Sequence, residues 1–149
     1  MKLDIEEILK DWEKDSKIDP LNLDGESLDT PKLHSKYLNI LMVIKLQLKK
    51  RENKQKEMLR DKWLYFSGKM DQAEVTSRGW KADPFDGLTI LKSDMHYYFE
   101  ADKELQNMEE KVVYLKSLKE AVQDIVDAIR WRHTHIKNAI DWRRFTSGG

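Results

Sequence analysis

Residues 105–140 read LQNMEEKVVYLKSLKEAVQDIVDAIRWRHTHIKNAI, thirty-six positions without a Gly or a Pro. Leu105, Met108, Val112, Leu115, Val122, Val126, Ile129, Ile136 and Ile140 recur at three- and four-residue intervals, with Lys119 and His133 filling two places in the series. That spacing lines one face of an α-helix. Sustained over about five heptads, it predicts a coiled-coil or bundle seam. Polar residues in such a seam fix register or assembly state at some cost in stability. The expectation is a C-terminal helix from near Thr89 to Phe145 that assembles the protein through Leu115, Val122, Val126, Ile129, His133, Ile136 and Ile140.

Upstream, Leu33, Tyr37, Ile40, Leu41, Ile44 and Leu48 trace another apolar stripe, which fades into charge and returns at Leu59, Trp63 and Phe66. Thr30 suits a helix cap, Pro31 a first helical position, and Ser67-Gly68 a stop. A long helix over 32–68 follows. Before it, Leu3, Ile5, Ile8, Leu9 and Trp12 space a short amphipathic helix, and KIDPLNLDGESLDTP (17–31) reads as a loop rich in turn residues. Residues 69–88, with Gly79, Pro84 and Gly87, read as a long, poorly ordered connection. The whole is an all-α chain forming one helical domain over 1–149: an acidic N-terminal helix and loop (1–31), a basic helix (32–68), a connection (69–88) and an assembly helix (89–145).

Composition excludes several classes. The 149 residues are 36% charged and 40% hydrophobic, with three prolines, six glycines and no cysteine. Long helices suit that mixture better than a β-sandwich, and neither disulfides nor thiolate chemistry is available. No apolar run of about 18 residues exists to span a membrane, and MKLDIEEILKDWEKD is too acidic for a signal peptide. The expectation is a protein of the cytoplasm. Net charge is zero, yet unevenly placed. Residues 1–31 hold ten acidic and four basic side chains, while 44–62 hold eight basic and three acidic ones.

No nucleophile elbow, HExxH, P-loop or GxGxxG motif is present, so no enzyme is expected, and no cofactor. His133 and His135 lie two apart and face different ways on a helix, which argues against a metal site. The basic stretch is more informative. Lys49, Lys50, Arg51, Lys54, Lys56, Arg60 and Lys62 run into Trp63, Tyr65 and Phe66. Such a run is either a solvated face or a track for phosphates. Single-stranded nucleic acid is held by cations along its backbone and aromatic rings under its bases. Residue 65 lies about 200° around the helix from 63, so the three rings cannot share one core stripe. At least one should be exposed; packing of all three against neighbouring helices is the competing reading. A second cluster, Arg130, Trp131, Arg132, Lys137 and DWRRF (141–145), either complements the helix dipole or faces another subunit.

Three segments carry a family likeness. KLHSKYLNIL (32–41), LRDKWLYFSGK (59–69) and IKNAIDWRRFTSGG (136–149) match in order and spacing, and over nearly the whole length the chain resembles the UvsY family of phage recombination mediators. The resemblance implies a largely helical, non-enzymatic protein that assembles as a homo-oligomeric ring through its C-terminal helix. It implies binding to single-stranded DNA and loading of a RecA-like recombinase (UvsX) onto strands coated by the phage single-strand-binding protein, in the host cytoplasm. The family's two DNA-contacting cations fall on Arg60 and Lys62, with Arg and Lys exchanged, a change that a phosphate contact tolerates better than a bidentate base contact. Residues 70–87 depart from the family pattern, so no role is carried to Arg78 or Trp80. The reading that competes with all this is a helical adaptor that contacts only proteins.

Overall fold

In a computed structural model the chain is all-α; residues 2–148 are described, and no strand occurs among them. The helices are α1 (Ile5–Asp15), α2 (Leu23–Phe66), α3 (Gln72–Ser77), α4 (Met95–Ala101) and α5 (Lys103–Thr146), with a 3-10 turn at Lys92–Asp94. Among the described residues no helix is long and apolar enough to cross a membrane. Two compact units form. One takes the residues up to Gln47 and those from Leu115 onward; the other is Leu48–Tyr114.

In the first unit α1 begins at Asp4, whose carboxylate accepts from the amides of Glu6 at 2.9 Å and Glu7 at 3.2 Å. Ile8 then packs with Tyr37, Leu41 and Ile44 of α2 and Leu118, Val122, Ile125, Val126 and Ile129 of α5. Each helix contributes residues three or four apart, so three stripes meet in one core. Tyr37 is completely buried. Its hydroxyl donates to Asp15 at 2.9 Å, and Lys36 donates to the same carboxylate at 2.6 Å. Burial opposes the charge on Asp15, but the hydrogen bonds from Lys36 and Tyr37 and the charges of Lys36 and Arg132 outweigh it and hold its pKa below the ordinary value. Burial, then the hydrogen bond and charge of Asp15, push the Tyr37 phenol up.

This core corrects the seam. Leu115, Val122, Val126, Ile129 and Ile136 are buried within the chain itself, together with Leu118 and Ile125, which the seam left out. Periodicity identifies the covered face of a helix but not what covers it, and here α1 and α2 of the same chain do so. His133 is exposed and Ile140 half-buried.

The loop over 17–31 is corrected as well, because α2 starts at Leu23 and runs through Pro31. Proline deprives the Ser27 carbonyl of its intrahelical partner, but Ser27 is exposed and water can serve it. Two tertiary anchors hold the segment: Leu23 is buried, and Glu26 meets the buried guanidinium of Arg132 at 2.5 Å. That guanidinium also donates to the carbonyls of Asp15, Ser16 and Lys17 at 3.1 to 3.4 Å. It thereby takes up carbonyls at the C-terminal end of α1.

In the second unit the connection over 69–88 carries a helix, α3, and the last helix starts later than 89. Val75 on α3 is buried with Met70, Tyr65 and Phe66. Phe85, Tyr98 and Phe99 close on Phe66 with ring centroids 5.1 to 6.2 Å away. The final helical stretch breaks between α4 and α5 at Asp102, which is extended and caps α5 by accepting from the Leu105 amide at 3.0 Å.

Candidate nucleic-acid interface

Every cation of the predicted site lies on α2 within the second unit. Lys49, Lys50, Arg51, Lys54 and Lys56 are exposed, and among the described residues none makes an ion pair. Arg60 is also outward, with its side chain 68% exposed and the neighbouring Asp61 carboxylate against it at 3.1 Å. Arg78 meets the same carboxylate at 3.1 Å, so Asp61 keeps a cation if the exposed Arg60 guanidinium turns to a phosphate.

The end of α2 shows why the next residues behave differently. Gly68 adopts φ 72°, and the Lys69 and Gly68 amides return to the carbonyls of Leu64 at 2.9 Å and Tyr65 at 3.2 Å. This is a glycine-terminated C-cap. The same device closes α3: Gly79 has φ 71°, and the Trp80 amide donates to Val75 at 3.1 Å. Two such reversals fold the connection back onto α2 and bring Trp80 to Tyr65, with ring centroids 4.9 Å apart.

Lys62 and Tyr65 are therefore enclosed, which corrects their assignment to the strand-contacting surface. The Lys62 side chain is 4% exposed, its ammonium 2.9 Å from Asp102 and 3.4 Å from Glu104. The same ammonium lies 3.9 Å from the Trp80 ring centroid, and the Trp80 indole N–H donates to Glu104 at 2.6 Å. The Tyr65 hydroxyl donates to the Lys81 carbonyl at 2.6 Å. Burial first, then the carboxylates of Asp83, Asp102 and Asp86, push the Tyr65 phenol up. A buried, doubly paired ammonium is not offered to a phosphate; it ties the end of α2 to the start of α5.

Trp63 points the other way. It is 45% exposed, with the Lys69 ammonium 4.5 Å from its ring centroid. Of the three clustered rings, Tyr65 and Phe66 went to the core and Trp63 stayed outside, as the 200° argument requires of at least one. Beside Trp63 runs a groove of about 550 Å³ lined by Lys56, Leu59, Arg60, Trp63 and Phe99. Sequence reasoning missed Phe99, which α4 supplies from far along the chain. It also missed Lys69, whose place next to the Gly68 reversal was the available signal.

On α5, Trp131 is exposed, as are Trp142 and Phe145 at its C-terminal end, the last two with ring centroids 5.7 Å apart. Arg143 donates to the Pro20 carbonyl. His96 and His133 each place Nδ1 against a backbone carbonyl three residues back, at 2.8 and 2.6 Å. Among the described residues no group of three or more His, Asp or Glu side chains is placed to hold a metal ion.

Comparison with known proteins identifies the family and the fold. Residues 11–149 match the family described as the recombination, repair and ssDNA binding protein UvsY. The chain is 28% identical over 144 residues to the recombination protein uvsY of Enterobacteria phage T4, covering 97% of this chain and 98% of that one. Crystal structures of the bacteriophage T4 recombination mediator protein UvsY superpose closely. One reaches a TM-score of 0.81 at 28% identity, covering 99% of this chain and 98% of the other. A second lattice gives 0.78 at 27% identity, covering 98% and 99%.

Proposed function

Because the chain belongs to the UvsY family of recombination and repair mediators, we propose that it binds single-stranded DNA and helps a RecA-like recombinase displace single-strand-binding protein. The observation that carries this reading is the row of exposed, unpaired cations on α2, from Lys49 to Lys56, continued by Arg60. A flexible strand can lay successive phosphates along such a row, and each neutralised phosphate releases a counterion. Affinity then falls with salt. A subunit of zero net charge gains further if several copies present the same row to one strand, because later contacts become intramolecular. The exposed Trp131, Trp142 and Phe145 of α5 offer the apolar surface for such self-association, a role the buried seam residues cannot fill while they hold the chain's own core.

The test is recombinase loading. On single strands coated with single-strand-binding protein, the protein should shorten the lag before recombinase ATP hydrolysis begins. A variant with Lys50, Lys54 and Lys56 changed to Ala should lose that effect. The competing reading, an adaptor that touches only proteins, predicts that the triple variant loads recombinase as well as the parent and that neither binds oligo(dT) at low salt.

A further inference from the structure

We infer that the groove beside Trp63 is a nucleobase subsite, in which a base leaves the strand and stacks between Trp63 and Phe99 while its flanking phosphates rest on Lys56, Arg60 and Lys69. The assignment rests on the single-strand-binding reading above and deepens it. Two features of the groove point to a planar, anionic occupant. Its floor is Leu59 with two aromatic rings from different helices, Trp63 on α2 and Phe99 on α4. Cations accompany the rings: Lys56 and Arg60 line the groove, and the Lys69 ammonium lies over the Trp63 ring, 4.5 Å from its centroid. Positions 56, 59, 60 and 63 share one helix face at the three- and four-residue spacing, so cations and apolar surface are interleaved along a single strip.

The Phe99 side of the groove is braced by packing. Phe99 is set edge-on against Phe66, centroids 5.1 Å apart at 79°, and Phe66 belongs to the buried aromatic cluster. A base meeting Phe99 therefore orders no loose side chain, which preserves the stacking gain. Stacking on ring faces accepts every base, so the subsite adds affinity without sequence preference. Complementarity of charge favours a polyanion over an apolar helix, since Lys56 and Arg60 line the groove and the row of exposed cations on α2 leads into it.

The experiment compares oligo(dT) with a strand of equal length made of abasic nucleotides, which keeps the phosphates and removes the bases. Binding to the full-length protein is followed by fluorescence anisotropy at several salt concentrations. The parent should bind oligo(dT) about tenfold tighter than the abasic strand or better. Trp63→Ala should lower oligo(dT) affinity to the abasic value and leave the salt slope unchanged, while Trp63→Phe should keep most of the preference. Phe99→Leu, which retains apolar volume under the aromatic cluster, should cut the preference without lowering the melting temperature as a cavity would. Equal affinity of the parent for both strands would overturn the subsite and leave phosphate-tracking intact. Binding to neither strand at low salt would overturn the single-strand reading and the subsite with it. If Trp63→Ala spared oligo(dT) binding but abolished binding of a peptide rich in Asp and Phe, the groove would be a protein-docking site and the proposal would fail.

Discussion

Removing the Lys62 ammonium separates a structural role from a DNA-contacting one. Lys62→Met keeps the length of the apolar stem beside Trp80 and Tyr65 but leaves Asp102 without its cation. The Asp102 side chain is 12% exposed and 2.9 Å from the ammonium, so its charge is largely cut off from water. Glu104, 47% exposed, retains the Trp80 indole and solvent. Breaking a buried pair by removing one partner costs about 3 to 5 kcal/mol. With one carboxylate nearly buried and the other half in water, the lower end applies, about 3 kcal/mol. Asp102→Asn alone should cost less, because Asn also caps a helix and the freed ammonium keeps Glu104. The double variant removes both charges and should recover most of the loss, giving a coupling of about 2 kcal/mol or more. Urea unfolding of the four proteins yields the cycle, and amide exchange across 70–101 should localise the loosening. DNA affinity should fall with Lys62→Met and return in the double variant. A double variant as stable as the parent yet still defective on oligo(dT) would show that the ammonium also meets the strand, and its confinement to a structural role would be wrong.

Other perturbations probe the first unit. Ile129→Ala opens a cavity in the core and should cost about 2 to 5 kcal/mol in urea; a variant that kept its stability but lost self-association would restore the seam to a subunit interface. Arg132→Met strips cations from Glu26 and from the carbonyls ending α1, and should destabilise the protein by about 3 kcal/mol, with exchange rising first in α1 and at 23–31. Tyr37→Phe removes a buried donor from the Asp15 carboxylate and should cost about 1.5 kcal/mol. Asp15 titrates below its ordinary value in the folded chain, so its contribution is complete above the unfolded pKa of about 4 and is lost as pH falls through the depressed folded value. Asp15→Asn should remove that acid-side slope from the stability curve; an unchanged slope would count against the Lys36–Asp15–Tyr37 cluster.

Helices were legible where the chain itself states the reason. Apolar spacing located α1, most of α2 and the long run of α5, and Ser67-Gly68 marked the end of α2. What escaped depends on partners remote in sequence. Leu23 to Pro31 looks like a loop because Gly25 and Pro31 are poor helix residues, and the Arg132–Glu26 contact that secures the segment spans 106 positions. The connection hid α3 because Met70 and Val75 are single apolar residues among polar ones, whose burial needs Tyr65 and Phe66. The break at Asp102 was within reach, since an Asp capping a run that opens with Lys-Glu-Leu is a helix-start signal. Lys62 was read with its neighbours because nothing local separates it from Arg60. Their difference is one of facing, and Glu104, a carboxylate that separates them, lies 42 residues on. Lys49 to Lys56, Arg60 and Trp63 are exposed on α2, whereas Lys62 and Tyr65 are enclosed.

The central claim is that exposed cations on α2 track the phosphates of a single strand. It is tested most directly by the salt dependence of oligo(dT) binding, measured by anisotropy for the parent, Arg60→Ala and the Lys50, Lys54 and Lys56 triple Ala variant. For single strands, each lost phosphate contact should reduce the slope of log K against log salt by about 0.7. The account predicts a shallower slope by about that amount for Arg60→Ala and by about three times as much for the triple variant, with stability unchanged in both. Binding whose slope is the same in all three proteins would contradict it.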